Sequence, residues 1–269
     1  MNKLNNFKLS SDQILKFQKY GFLKLENFLN KKFIKKIKKN FFKVFKGKYN
    51  TGLQPDKIKW SKNDILVKSP RQLCNVWKSD FELKSLILNE NIGRISAQLT
   101  GWNGIKICQD SLYWVPPKCG GVGMHQDNSY QDWHLPGKTI TCWISLSDLS
   151  LNSSGIEYLV GSHKTKITKP IKTFFSGKNY KYTTKSKLFK NFKSEIITGK
   201  AGTVVFHHGN IWHGSNINLS NKSRFSISIH MIPSNSKFSN KFKHPQYSRY
   251  KFNNSLKMDE SFFPTTYKA

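Results

Sequence analysis

The hydrophobic pattern of this chain changes once, near Gly101, and that change limits the folds available to it. Before this point apolar residues recur at helical spacing. After it, short segments alternate between apolar and polar residues, as half-buried strands do. Helices followed by many short strands are typical of an α+β protein with a double-sheet β-core. We therefore predict a double-stranded β-helix (jelly-roll, cupin-like) core with N-terminal helices packed on it.

The N-terminal part contains three predicted helices. The first has a Ser cap at Ser10 and ends at Gly21, and a strand over 22–28 follows it. The second, Lys31 to Lys46, has an apolar face opposite a lysine-rich face. The third runs from about Asp80 to Thr100. We expect the second helix to pack on the sheet, although such a basic face also suits a membrane surface or an acidic partner.

The rest of the chain is predicted as strands and connecting segments within a single domain over 1–269. The lysine-rich segment 164–200 is long for a loop, which suggests a lid or an insertion over a site. The tail, 234–269, is expected to wrap the surface. The helical elaboration covers about 9–101, the jelly-roll core covers about 105–233, and strands are predicted over 105–115, 139–146, 156–160, 202–206 and 225–232.

The stretch Met124-His125-Gln126-Asp127 carries the strongest chemical signal. A histidine and an aspartate two apart on an extended segment project to the same side of the backbone. This places one imidazole and one carboxylate where both can bind one metal ion. With His213 as the third ligand, two histidines and one carboxylate form the facial triad of non-haem iron(II) oxygenases, which leaves three coordination positions open.

The third ligand has competitors in His207 and His208, at the end of a predicted strand. His213 is preferred because its distance from Arg224 lets both side chains reach one cavity from consecutive strands. We interpret His208 as a residue that hydrogen-bonds near the site or supports a turn. No partner can be identified from the sequence for the remaining histidines, which are His134, His163, His230 and His244.

Arg224 carries information because this chain has 45 basic residues and only four of them are arginine. A guanidinium can bind a carboxylate through two parallel hydrogen bonds, which lysine cannot copy. We predict that Arg224 binds the far carboxylate of 2-oxoglutarate. Trp143 either walls the same pocket or is an ordinary core tryptophan. Ser215 either donates a hydrogen bond to the oxoacid or caps a turn.

This donor set predicts oxygenase chemistry. Three open positions on iron(II) let a 2-oxoacid bind through two oxygens and still admit O2. Decarboxylation of the oxoacid then drives oxidation of an unactivated C–H bond, while the protein holds the geometry, excludes water and aims the substrate. The predicted function is hydroxylation of a small molecule, with release of succinate and CO2.

These residues resemble the phytanoyl-CoA dioxygenase family of iron(II)/2-oxoglutarate-dependent oxygenases. The resemblance covers about residues 9–235, and the tail beyond it has no counterpart that can be placed. The motifs that carry it are His125-Gln126-Asp127, Thr141 to Leu146, Asn152 to Gly155 with Gly161-Ser162-His163, Phe206 to Gly209, His213-Gly214-Ser215, and Arg224, with Asp12 to Leu29 and Asn75-Val76-Trp77 to Gly101 also similar to bacterial members.

The resemblance implies a jelly-roll core, with His125, Asp127 and His213 as iron ligands and Arg224 binding 2-oxoglutarate. It also places Trp143 at a family position that lines the co-substrate pocket. Related halogenases replace the carboxylate with a small residue, so retention of Asp127 implies hydroxylation or another oxidative C–H reaction. Family membership does not name the substrate, for which the candidate contacts are Tyr130, Trp133, Asn75, Trp77 and segment 164–200.

The net charge of +30 suggests two interpretations. A lysine coat from an AT-rich genome explains it, and an attractive field for an anionic substrate or a nucleic acid explains it as well. The charge is spread along the whole chain, which favours the first. Two alternatives to the hydroxylase therefore stay open: a member that acts on or binds nucleic acid, and a non-catalytic relative that binds a ligand.

Composition also indicates where the protein is located and whether its cysteines are reduced. No apolar run is long enough for a membrane span, and the first residues lack the apolar core of a secretory signal, so we predict a cytoplasmic protein. Four cysteines without CxxC spacing predict reduced thiols in the core or near the site, with a zinc site as the weaker alternative. The sequence does not predict the oligomeric state.

Overall fold

A computed structural model describes residues 7–59, 70–170, 190–240, 244, 246–252 and 255–269. The helices are α1 (Ser11–Tyr20), α2 (Lys31–Phe45), α3 (Phe81–Ile87) and α4 (Glu90–Thr100). The strands are β1 (Phe22–Leu25), β2 (Lys57–Lys59), β3 (Arg71–Cys74), β4 (Gly104–Val115), β5 (His134–Leu135), β6 (Ile140–Ser145), β7 (Ile156–Leu159), β8 (Ser194–Ile196), β9 (Val204–His208), β10 (His213–Ser215), β11 (Arg224–Pro233), β12 (Lys237–Phe238) and β13 (Thr265–Lys268).

The core is a large antiparallel sheet with a smaller sheet beside it. The large sheet has the order β1-β9-β6-β11-β4-β3-β2, with β13 added beside β4, and the smaller one has the order β10-β7-β8. Chain neighbours are rarely sheet neighbours in this arrangement, which is the topology of a double-stranded β-helix. The predicted fold class is confirmed.

The two faces of the large sheet have different partners. On β11, Phe225, Ile227 and Ile229 belong to the core that the helices cover, whereas Arg224 and Ser228 line a cavity on the other face. The same alternation runs through β4, β6 and β9, as side chains of a strand point to opposite faces in turn. One face of the sheet therefore stabilises the fold, and the other carries polar groups.

The helices form as the sequence predicts, with one correction. Ser10 and Gln13 form a capping box at the start of α1, and Gly21 ends that helix in a left-handed conformation. The prediction of one continuous helix from about Asp80 to Thr100 is wrong, because two helices form there. The chain breaks at Asn89, whose side chain accepts a hydrogen bond from Asn91 N and so starts α4.

The apolar face of α2 packs on the sheet, as predicted. Phe41 is fully buried, and its ring meets the ring of Phe225 edge to face, with centroids 5.5 Å apart. Within the described part of the chain, no helix has the length and the apolar character of a membrane-crossing segment.

Parts of the chain beyond these predictions also take regular structure. Residues 71–74, for which no strand was predicted, form β3 beside β4. Residues 194–196, inside the segment predicted as a lid, form β8 of the smaller sheet, while 171–189 lie outside the described residues. The tail does more than wrap the surface, because β12 pairs with β5 and β13 pairs with β4.

We expect Phe41→Ala to lower the free energy of unfolding by about 3–5 kcal/mol, because it removes a buried ring between α2 and the sheet. Urea unfolding followed by circular dichroism measures this change. Leu15→Ala on α1 is the control, since that side chain is 59% exposed, and it should change stability by less than about 0.5 kcal/mol. Equal losses in the two variants would contradict this packing.

Candidate metal and co-substrate site

A short backbone bridge brings the two sequence-predicted histidines together. His125 N donates to His213 O at 2.9 Å, and His213 N donates to His125 O at 3.0 Å. This antiparallel pairing sets the two imidazoles side by side, with ring centroids 4.2 Å apart. The approach is close because Gly121 has no side chain, and a Cβ there would overlap the carbonyl oxygen of Ser215.

The carboxylate of Asp127 completes the cluster. Its Oδ1 lies 3.5 Å from His125 Nε2 and 3.6 Å from His213 Nε2. One donor atom from each of the three residues lies within 4.8 Å of the other two, and all three residues are buried. Such spacing fits a single ion with bonds of about 2.0–2.2 Å to nitrogen and oxygen.

Each of the two imidazoles directs its Nε2 atom toward Asp127. His125 Nδ1 lies 2.8 Å from Gly123 O, and His213 Nδ1 lies 3.0 Å from Ile211 O. A carbonyl can only accept, so both Nδ1 atoms carry the proton and both Nε2 lone pairs face Asp127. Burial lowers the pKa of His213 well below its usual value, which keeps this ring neutral and able to bind a metal.

A hydrogen-bond network occupies the other oxygen of Asp127. Oδ2 accepts from Thr141 Oγ1 at 2.6 Å and from His207 Nε2 at 3.1 Å. Tyr158 OH lies 2.8 Å from His207 Nδ1, so it donates there and holds the ring in this orientation. His230 Nδ1 lies 2.9 Å from Thr141 Oγ1, whose own proton is already directed at Asp127. Oδ1 is therefore the atom left to bind a metal.

The same surroundings keep Asp127 ionised. Burial opposes ionisation, but the surrounding imidazoles, His213 and His230 first, and the hydrogen bond from His207 hold the pKa of Asp127 well below its ordinary value. A buried carboxylate that is ionised at neutral pH is the form that binds a divalent cation.

Two histidines differ from their sequence interpretation. His207, weighed as a rival third ligand, instead donates to Asp127, and His230, which had no predicted partner, supports Thr141. Of the two interpretations of His208, the structure agrees with support of a turn, because His208 Nδ1 accepts from Asn210 N at 3.0 Å. The signal for His207 and His230 was their alternation along β9 and β11, which places both on the face of Asp127.

Arg224 lies at the start of β11 and is buried, with 4% of its surface exposed. Its Nη1 donates to Ser226 Oγ at 2.6 Å, but its Nε has no hydrogen-bond partner. Among the described residues, no carboxylate lies within ion-pair distance of it. Burial lowers the pKa of Arg224 to about 10, so it stays charged at neutral pH. A buried cation without a counter-ion is suited to binding an anion.

One cavity of about 290 Å³ is lined by the three predicted metal ligands, by Arg224, and by Thr141, His207 and His230. Trp143 and Ser215, the other two predicted co-substrate residues, line it with Arg224. The Trp143 ring lies 5.9 Å from the guanidinium carbon, and Ser215 Oγ accepts from Val122 N at 3.1 Å while keeping its own proton to donate. Trp143 is buried and also faces the cavity, and its contact with the oxoacid stays a prediction.

Some of the predicted substrate contacts line the cavity and others do not. Tyr130 and Trp133 line the cavity, whereas Asn75 and Trp77 are not among the residues that line it. Asn75 belongs instead to a hydrogen-bonded cluster below β3. Segment 164–200 reaches the site through Thr168, whose backbone N donates to Gln126 Oε1 at 2.9 Å. Gln126 lies between the predicted ligands His125 and Asp127 in the sequence.

Comparison with known proteins identifies the family. The sequence model of phytanoyl-CoA dioxygenase matches residues 17–226. The chain belongs to the phytanoyl-CoA dioxygenase family. The phytanoyl-CoA dioxygenase of Arabidopsis thaliana is 30% identical over 179 residues, which are 64% of this chain and 62% of that protein. The matched part thus spans less than two thirds of that relative's length.

Relatives with other substrates in their names are about as similar. A probable alpha-ketoglutarate-dependent hypophosphite dioxygenase of Stutzerimonas stutzeri is 25% identical over 74% of this chain and 70% of its own length. Among solved structures, EctD from S. alaskensis, with 2-oxoglutarate and 5-hydroxyectoine, superposes with a TM-score of 0.74 at 17% identity, covering 95% of this chain and 89% of that one. The carbocyclase SnoK gives 0.74 at 18% identity over 97% of both chains. These superpositions show that the fold is shared.

We expect the metal-free chain to bind one equivalent of Co(II), as a redox-stable stand-in for iron(II), and His213→Ala to bind it at least about 100-fold more weakly, because one of three donors is lost. Isothermal titration calorimetry measures both affinities. His208→Ala is the control, since that ring faces a turn rather than Asp127. If His208→Ala loses affinity and His213→Ala keeps it, the third ligand is misassigned.

Thr141→Val removes the hydroxyl that orients Asp127 while keeping the shape of the side chain. We expect a 10- to 100-fold loss of Co(II) affinity, the usual effect of removing a partner that orients a ligand. Thr100→Val, at the end of α4, removes a hydroxyl that donates to helix carbonyls and accepts from Trp102 N, away from the cavity, and should leave affinity unchanged. Unchanged affinity in Thr141→Val would show that this bond does not orient Asp127.

Proposed function

We propose that this chain is an iron(II)- and 2-oxoglutarate-dependent dioxygenase that hydroxylates an unactivated C–H bond of a small molecule, releasing succinate and CO2. The observation that carries the proposal is one cavity that contains both a three-donor cluster and a buried arginine, Arg224, to which the described part of the chain supplies no carboxylate partner. Family membership supports it, and so do relatives named as dioxygenases.

The donor set fits iron(II). Two neutral imidazoles and one carboxylate are the mixed nitrogen and oxygen ligands of the facial triad, and His125, Asp127 and His213 would hold the ion. When bound, iron(II) with 2-oxoglutarate and O2 supplies the oxidising power, as the oxoacid loses CO2 to become succinate. Thr141 and His207 act on this chemistry indirectly, because they keep Asp127 Oδ1 pointed at the ion.

The co-substrate fits the other end of the cavity. Arg224 would pair with the far carboxylate of 2-oxoglutarate, and the binding of that anion would satisfy a buried charge. The Ser215 hydroxyl, whose proton remains available, would donate to the same carboxylate. Trp143 would give the oxoacid chain a flat apolar wall and limit the entry of water.

The reaction type is inferred from Asp127. A side chain that binds the ion through carboxylate oxygen occupies the position that halogenases of this kind leave open for a halide. Its retention supports C–H oxidation in this chain. Neighbouring proteins whose names include carbocyclase and epimerase have the same fold, so the outcome after hydrogen abstraction depends on how the substrate is placed.

The substrate must be small, because 2-oxoglutarate takes part of a cavity of about 290 Å³. Lys57 lines this cavity, and Asp127 is the sole acidic residue that lines it in the described chain. This balance favours a substrate with an anionic group near the entrance. The four cysteines are free and buried, which supports a reducing compartment and a cytoplasmic location.

We expect purified protein with iron(II), ascorbate and 2-oxoglutarate to release succinate, and His125→Ala to abolish this release. Arg224→Lys should raise the apparent KM for 2-oxoglutarate about 10- to 100-fold, because a bidentate charge-assisted pair is lost. Chromatographic measurement of succinate reports both effects, and a metabolite library added to the same assay would identify the substrate.

Two controls make the assignment specific. Arg94→Lys, on α4 and away from the cavity, should keep the KM of the unmodified chain. Arg224→Lys should also keep full Co(II) affinity, since Arg224 is not a ligand. An unchanged KM in Arg224→Lys would show that the co-substrate binds elsewhere.

A further inference from the structure

Part of the cavity wall comes from beyond the family-matched region. The family model ends at residue 226, yet His244, Gln246 and Tyr247 all line the cavity. We call residues 246–250 the tail wall. The tail wall therefore lies outside the region that the family model matches, unlike the predicted ligands and Arg224.

The tail wall is packed firmly against the core. Tyr247 is 2% exposed, and its ring lies 4.4 Å from the ring of Trp133, measured between centroids. Both residues belong to an apolar cluster that includes Cys108 on β4 and Phe263 from the end of the chain. The tail wall therefore covers Cys108, which also lines the cavity.

A single buried carboxylate anchors this segment. The Asp56 side chain is 4% exposed and accepts hydrogen bonds from Tyr250 OH at 2.7 Å and from Asn75 Nδ2 at 2.6 Å. It also forms ion pairs with Arg249, at 2.7 Å, and with Lys78. Two of these partners belong to the tail wall and two to the turn after β3, so Asp56 joins the segments and is followed directly by Lys57 at the cavity.

The surface that the tail wall helps to form is uncharged and polar. Tyr247 OH donates to Gln109 Oε1, and Gln109 Nε2 donates to Ser111 Oγ at 2.9 Å. Gln72 Nε2 extends this row to Ser111 Oγ, at 3.1 Å, and to Tyr113 OH, at 3.0 Å. Gln246 Nε2 is buried and has no hydrogen-bond partner among the residues that the structure describes, so a donor remains available beside the cavity.

We propose that the tail wall, anchored on Asp56, determines which small molecule the site accepts, and that Tyr247, Gln109 and Gln246 select a substrate with an uncharged acceptor group such as a hydroxyl or a carbonyl. The inference rests on the proposed function and deepens it. An uncharged acceptor on the substrate accepts a hydrogen bond from Gln246 Nε2. A carboxylate placed beside Tyr247 and Gln109 has only uncharged side chains of the described residues as neighbours there, and so lacks a cation to pair with. An anionic group of the same molecule lies nearer Lys57.

The anchor is tested without any ligand, by thiol labelling. Cys108 is buried below the tail wall, whereas Cys142 is buried on the opposite face of the sheet. We expect Asp56→Asn to raise the rate at which Ellman's reagent modifies Cys108 by about tenfold or more, through local opening, while Cys142 stays protected. Peptide mapping by mass spectrometry separates the two thiols.

The controls separate local opening from loss of the fold. Glu26→Gln makes the same chemical change at an exposed carboxylate paired with Lys24, and should leave both thiols protected. Tyr250→Phe removes one bond to Asp56 with little change of shape, and should raise Cys108 labelling alone by a smaller factor. If Tyr250→Phe leaves Cys108 protected, or exposes Cys142 equally, the anchor is overturned.

Selectivity is tested with a fixed panel of small alcohols, amides and carboxylic acids, each scored by its stimulation of succinate release. We expect Tyr247→Ala to change which members of the panel stimulate succinate release, because it removes a ring and a hydroxyl from the cavity wall. Phe252→Ala, 52% exposed, is the control and should keep the original profile. An identical response in Tyr247→Ala and the unmodified chain, including no response in either, would overturn the inference. Absence of unstimulated turnover in both would instead count against the proposed function.

Discussion

The two oxygens of Asp127 have different roles, and the rest of the site depends on this division. Thr141 and His207 both donate to Oδ2, so Oδ1 alone remains directed at the two Nε2 atoms. The division needs β6 and β9 as neighbours in one sheet, because Thr141 and His207 are paired across those strands. The register of the large sheet therefore determines the orientation of a carboxylate that belongs to neither strand.

The face of the large sheet turned away from the helices combines three functions. Arg224 at one end of β11 is placed to bind an anion, His230 further along supports Thr141, and Gln109 on β4 faces the tail. Each lies on the cavity face because strand side chains alternate. The apolar residues between them pack under α2, so the stability of the fold and the chemistry of the cavity use the same strands.

Sequence reasoning succeeded where a pattern is local. The spacing of His125 and Asp127 and the cap of α1 depend on neighbours in the chain, and the structure agrees with both. The alternation predicted along β4 holds only from Gln109 onward, because a bulge opposite His230 and Met231 places Ile107 in the helix-covered core. The pairing of His213 with that stretch was inferred from its distance to Arg224 and from family resemblance. Their roles as ligands stay a prediction, while their proximity is observed.

Sequence reasoning failed where a residue's role depends on a distant partner. The break at Asn89 is a choice between continuing a helix and capping a new one, and periodicity alone does not distinguish them. His230 appeared to have no partner because Thr141 reaches it across the sheet. The cavity contacts of Tyr247 were equally invisible, since no pattern in a Lys- and Asn-rich tail indicates that it folds back onto β4.

The last part of the chain is fastened on both sides of the tail wall, by β12 on β5 and by β13 on β4. A segment held in this way can change its length and composition while the strands that orient the metal donors keep their register. Under the proposed function, such a change alters the part of the cavity wall that meets the substrate and leaves the three metal donors in place. The two pairings thereby separate the segment that shapes the cavity from the strands that hold the donor set.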